Sequence, residues 1–91
     1  MNTYRTQFIA RCPSDGQRIL YSLEMQSEHT VMVEDINEEL DNCTEDYQES
    51  IAQRLAAEFP QCSIRLHGIH QGIEITSTIV RRAAASIGPI P

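Results

Sequence analysis

The chain alternates at both ends and turns helical in the middle. From Thr3 to Cys12, Tyr4, Thr6, Phe8, Ala10 and Cys12 fall on one side, and Arg5, Gln7, Ile9 and Arg11 on the other. A period of two predicts a half-buried strand. Pro13-Ser14-Asp15-Gly16 supplies a turn, with proline presetting φ and glycine accepting a positive φ. Arg18 to Gln26 alternates again through Ile19, Tyr21, Leu23 and Met25, so the first two strands read as a hairpin. A second hairpin is predicted later. Ile64 and Leu66 mark one strand, His67-Gly68-Ile69-His70-Gln71-Gly72 a glycine-flanked bend, and Ile73 and Ile75 the other strand.

Between the hairpins the period lengthens. Ile36, Leu40, Cys43, Tyr47, Ile51, Leu55 and Phe59 recur every three or four residues, one stripe of a helix with 3.6 residues per turn. Asp35 followed by Glu38 resembles a capping start, and Pro60 ends the pattern. Asn42-Cys43-Thr44 is a potential break, with Thr44 capping a second helix. The stripe keeps its phase across this point, which favours one long or slightly kinked helix.

The order is therefore ββ-α-ββ. Helix and strands are each apolar on one side, so the simplest burial is an α+β fold, a four-stranded antiparallel sheet with the helix across one face. Residues 1–79 form that single domain. Residues 80–91, alanine-rich with a Gly-Pro-Ile-Pro end, are expected to be a loosely ordered tail. The expected core is Tyr4, Phe8, Tyr21, Leu23, Ile36, Leu40, Tyr47, Ile51, Leu55, Ile64, Leu66, Ile73 and Ile75.

Ninety-one residues with 41% apolar and 22% charged side chains suit one ordinary globular domain. No apolar run approaches the ~20 residues a spanning helix needs. The first ten residues, MNTYRTQFIA, lack the basic and apolar regions of a secretory signal. Cys12, Cys43 and Cys62 are too few and too scattered for a disulfide framework or a CxxC zinc site, which fits a reducing, cytosolic setting. A net charge of −6 argues against free nucleic-acid binding, which needs a basic footprint.

The distribution of charge says more than its total. Every basic residue is arginine, and residues 19–53 hold ten acids with no arginine or lysine. Like charges four apart on a helix repel by a few tenths of a kcal/mol each. This local cost points to a binding role. On one continuous helix, Glu34, Glu38, Asp41, Glu45 and Glu49 form a ridge opposite the core, and Asp35, Glu39 and Asp46 a second ridge beside it. Eight acids over roughly 22 Å of helix give one charge per ~3 Å. A DNA strand carries one phosphate per ~3.4 Å. The match suggests nucleic-acid mimicry. The plainer reading is a solvated face that keeps a small protein soluble.

Other constellations carry less. His67, His70 and Cys62 would converge on a metal only through the bend, and no fourth ligand is evident, so neither metal nor cofactor is expected. The cysteines sit at or beside apolar positions and read as small buried thiols. With no oxyanion hole or substrate cleft marked, the chain does not read as an enzyme. Arg5, Arg11 and Arg65 share the outer sheet face and suit phosphates. Tyr4, Phe8 and Tyr21 point to the other face, so base stacking on that sheet is not expected.

The opening MNTYRTQFIARCPSDGQRIL, the small size, the acidic centre and the ββ-α-ββ order together resemble a phage-encoded anti-CRISPR protein, an inhibitor of the type I-F surveillance complex. The resemblance is to the whole chain; these inhibitors share no signature residues, so no functional position carries over. It implies a non-enzymatic inhibitor in the cytoplasm of an infected bacterium. Such a protein binds Cas proteins of the CRISPR-RNA-guided complex, within reach of the RNA, and blocks target DNA. An acidic helix would complement the complex's basic grooves. The alternative is a small phage or mobile-element regulator that dimerises and binds a host protein or RNA, supported by Ile9 and Leu20 on the outer sheet face.

Overall fold

A computed structural model describes residues 1–81. Six elements follow one another: β1 (Asn2–Arg11), β2 (Arg18–Ser27), α1 (Val33–Asp41), α2 (Gln48–Glu58), β3 (Ser63–His70) and β4 (Ile73–Ile79). The strands form one antiparallel sheet in the order β1-β2-β3-β4. The fold is α+β, as the alternation implied.

Both hairpins close as their turn residues require. In the first, Gly16 takes φ +73°, and its N–H donates to the Cys12 carbonyl at 2.8 Å. Asp15 Oδ1 accepts the Gln17 N–H at 2.9 Å. In the second, His70 pairs with Ile73 across a two-residue turn, Gln71 at φ +53° and Gly72 at φ +81°. Two consecutive positive φ values define the turn whose twist matches a hairpin. In this meander both turns lie at the same end of the sheet.

The single long helix does not form. Residues 42–47 leave the helical path and lay their backbone against the end of β1. The Arg11 N–H donates to the Thr44 carbonyl at 2.9 Å, and the Asp46 N–H to the Arg11 carbonyl at 3.2 Å. These bonds replace the helical ones the segment gives up. Cys43 remains buried in the linker, so the apolar stripe keeps its phase although the helix ends. Tyr47 is the N-cap of α2 and is 50% exposed, not core.

The helices cover one face of the sheet. α2 packs on β3 and β4 through Ile51 and Leu55. α1 buries Ile36 and Leu40 and lies beside Tyr4, Leu23 and Met25. Ile73, expected in the core, also lies outside it, 64% exposed near the tip of the second hairpin. Gln48 enters it instead. Its Nε2 donates to the carbonyls of Leu66 and Ile75, both at 2.9 Å, which ties α2 to β3 and β4. Phe8 stacks on Tyr21 with ring centroids 5.3 Å apart, and Tyr21 lies over Gly68. A Cβ at Gly68 would stand 2.7 Å from Tyr21 Cε1, so this position needs glycine. At the start of the expected tail, the Arg81 guanidinium donates to the Ala56 carbonyl at 2.9 Å. The rest of that segment, 82–91, lies outside the described residues.

Candidate functional site

The break between the helices redistributes the acids. α1 has nine residues and spans about 13 Å. Glu34, Asp35, Glu38 and Asp41 stand on it exposed. Glu39 turns inward: its Oε2 accepts the Arg54 Nε–H at 2.9 Å, and its side chain is 12% exposed. Glu45 is in the linker beside Arg11, and Asp46 Oδ1 accepts the Tyr47 N–H at 2.8 Å. Glu49 begins α2. The acids thus form a broad patch rather than two straight ridges, and the phosphate-like spacing expected of one continuous helix is not present. Asp35, Glu38, Glu39 and Glu58 also rim a depression of about 510 Å³ between α1 and the end of α2.

The outer sheet face carries the opposite sign. Arg5, Glu24 and Arg65 are aligned across β1, β2 and β3. The Arg5 Nε–H donates to Glu24 Oε1 at 3.0 Å. One row further, Gln7, Ser22, His67 and Thr76 are aligned across all four strands. Together the side chains of Arg5, Gln7, Ser22, Glu24, Arg65 and His67 line an open trough of about 460 Å³. Arg11 is not part of it. Six residues along the strand put it roughly 20 Å from Arg5, opposite Arg18 near the turn. Beyond the polar rows, Ile9 is paired with Leu20, and Ile69 lies on the same face two residues after His67. They are 58%, 55% and 54% exposed.

The two layers therefore differ in charge. The helices and their linker hold nine acids against Arg54 alone. The outer sheet face holds Arg5, Arg11, Arg18 and Arg65 against Glu24 and Glu74. The alternation already separated these sets, because charges that face solvent from strands and from helices must leave on opposite sides.

The histidines do not meet. His67 Nε2 donates to Glu74 Oε1 at 3.2 Å on the outer face. His70 turns to the other face, where its Nε2 lies 2.9 Å from Asp15 Oδ2 in the first hairpin turn. Cys62 is buried apart from both. Cys12 is the thiol that approaches His70, so that Cys12, Asp15 and His70 bring one ligand atom each within 4.8 Å of one another. The sequence reading missed this trio. The signal was available: two tight turns in a four-stranded meander must come together at one end.

Among the described residues, three groups have displaced pKa values. The Asp15 carboxyl is held well below the usual range, first by the Gln17 backbone N–H, then by His70, Gln71 and Cys12. Burial pushes the Tyr21 phenol up, aided by nearby Cys12, Glu49 and Asp46. Burial likewise raises the Cys43 thiol, with Arg54 opposing and Glu39 and Asp46 adding.

Together these features define a two-layer α+β domain, a sheet with a helix pair on one face and an open, arginine-bearing face on the other. No family of known proteins matches the chain, and no curated protein does. Among solved structures it is similar to the archaeosine synthase QueF-Like in its apo form, with a TM-score of 0.70. The match covers 86% of this chain and 89% of that one at 16% identity. At that identity the likeness establishes the fold.

Proposed function

We propose that the protein is a non-enzymatic anti-CRISPR inhibitor that binds a type I-F surveillance complex through its charged surfaces and prevents target DNA from binding. One observation carries the reading: the acids are gathered on the helical layer and the arginines on the open sheet. A nucleic-acid-handling assembly presents both complements, basic grooves on its proteins and phosphates on its guide RNA. The helical patch would face Cas protein, and the Arg5–Arg65 row would reach RNA already held by that protein. Its site of action would be the cytoplasm of an infected bacterial cell. The structural neighbour is a synthase, but one fold supports unrelated functions, and the charge pattern rather than the fold supports a binder.

The test is binding to purified type I-F surveillance complex, followed by capture of labelled target duplex. Saturating inhibitor should abolish capture, and association should weaken steeply as salt rises. Full DNA capture with inhibitor in excess would end this reading. So would tight binding of the protein alone to duplex DNA at about 150 mM salt, where the acidic chain should bind poorly.

A second reading has its own observation, the exposed Ile9, Leu20 and Ile69 on the outer face. A dimeric regulator would pair two such faces. Sedimentation distinguishes it, because an apolar interface holds as salt increases while an electrostatic one fails.

A further inference from the structure

We propose that Cys12, Asp15 and His70 form a binding site for a borderline-soft divalent cation, Zn2+ in particular, with one coordination position left to water. The inference is independent of the inhibitor reading. Three observations support it.

The donor set has the right chemistry. A thiolate, an imidazole and a carboxylate together suit Zn2+ and are poor for Mg2+ or Ca2+, which prefer all-oxygen shells. Binding would release the Cys12 thiol proton to solvent, leaving S⁻ as ligand.

The geometry is close to what the ion needs. Bond lengths of about 2.0–2.3 Å put tetrahedral ligand atoms about 3.3–3.6 Å apart. The three ligand atoms here already lie within 4.8 Å of one another. Asp15 Oδ2 and His70 Nε2, now 2.9 Å apart, need only open slightly to admit the ion. Both side chains are partly exposed, which provides the room and a path in from solvent.

The ligands are also held in place. They come from two turns 55 residues apart in sequence. Asp15 is fixed by the Gln17 N–H on Oδ1 at 2.9 Å and by the Gln71 amide on Oδ2 at 3.2 Å. Gln71 sits in the left-handed region at φ +53°, which places its amide over Asp15. The Ser14 hydroxyl is 3.2 Å from Cys12 Sγ. Such outer contacts orient metal ligands. A bound ion would clasp the β1–β2 turn to the β3–β4 turn, adding coordinate bonds to the side-chain hydrogen bonds that already join them.

The experiment uses the whole chain, reduced and freed of metal with a chelator, and titrated with Co2+ as the spectroscopic probe. One equivalent should give a thiolate-to-cobalt charge-transfer band and intense visible bands of a four-coordinate ion, and Zn2+ should displace it. Cys12→Ser should abolish the charge-transfer band. His70→Gln and Asp15→Asn, at partly exposed positions that should leave the fold intact, should each weaken Zn2+ binding by roughly 100-fold or more. Cys43→Ala and Cys62→Ala should leave the cobalt spectrum unchanged. Zn2+ should raise the thermal midpoint of the parent and not that of His70→Gln. The proposal is overturned by a charge-transfer band that survives Cys12→Ser, by the lack of any band at one equivalent, or by His70→Gln binding Zn2+ as tightly as the parent.

Discussion

Arg54 on α2 donates its Nε–H to Glu39 on α1 at 2.9 Å, and this ion pair spans the break between the two helices. Glu39 is mostly covered and Arg54 about half exposed, so solvent screens the pair only in part. Arg54→Ala would leave the Glu39 carboxylate sheltered without a partner. We expect it to lower stability by about 1 kcal/mol, measured by urea denaturation. An unchanged midpoint would mean that the linker, not the ion pair, sets the angle between α1 and α2.

The core has a matching pair of substitutions. Ile51 is fully buried under the sheet, whereas Tyr47 lies outside α2 although both belong to the same sequence stripe. Ile51→Ala should cost ~2–5 kcal/mol, a large part of the total for a domain of this size. Tyr47→Ala should fall within about 0.5 kcal/mol of the parent. Equal losses would return Tyr47 to the core and restore a continuous helix.

Alkaline pH should destabilise the fold, and the sign follows from burial. The Cys43 thiol and the Tyr21 phenol both have raised pKa values in the folded chain. The native state thus keeps protons that the unfolded chain loses, above about pH 8.5 for a thiol and about pH 10 for a phenol. Stability from these groups is intact below those values and falls as the pH climbs past them. Denaturation midpoints between about pH 7 and pH 10 should decline, and Cys43→Ala should flatten the first part of the decline. Parallel curves for parent and variant would assign the loss to other groups.

How far the sequence carried the structure depends on the kind of signal. The strands were legible because Ile19, Tyr21, Leu23 and Met25 alternate with polar neighbours, and a period of two has one interpretation. The Pro13–Gly16 turn was legible for a similar reason, but the glycine-flanked pattern spreads the second bend over His67–Gly72, whereas β3 runs on to His70 and only Gln71 and Gly72 form the turn. The helix break at Asn42-Cys43-Thr44 was visible as an option but not favoured, because Cys43 stays buried in a linker held by backbone bonds to the remote Arg11, so the periodicity runs on where the helix stops. Gln48 was missed because its value lies in two carbonyls on β3 and β4, which no local pattern reports. Six of the eight acids do lie on the two helices, whereas Glu45 and Asp46 fall in the linker between them. The arrangement of the acids depended on helix continuity, and Glu39 was drawn inward by Arg54, fifteen residues away.

The separation of charge makes the binding surface testable one layer at a time. Glu38, Asp41 and Glu49 are exposed on the helical layer and take part in none of the ion pairs described above. Reversing all three to lysine removes like-charge repulsion. At position 38 it also sets a cation four residues after Glu34, a favourable i,i+4 pair, so the thermal midpoint should hold or rise. Binding to the surveillance complex should fall by at least ~10-fold, because like charges brought together at an interface oppose association. The change should be mainly in association rate if the acids lie at the rim, and in dissociation rate if they are buried on docking. The opposite layer is tested by Arg5→Ala with Arg65→Ala, which removes the arginines of the trough. Arg11→Ala is a separate variant because it lies near the far end of the strand. If the trough variant loses inhibition while the lysine variant keeps it, the protein works through its sheet, and the acidic layer serves solubility alone. If the lysine variant alone fails, the helical layer is the docking face. Salt titration of each variant then shows which layer accounts for the electrostatic part of the affinity.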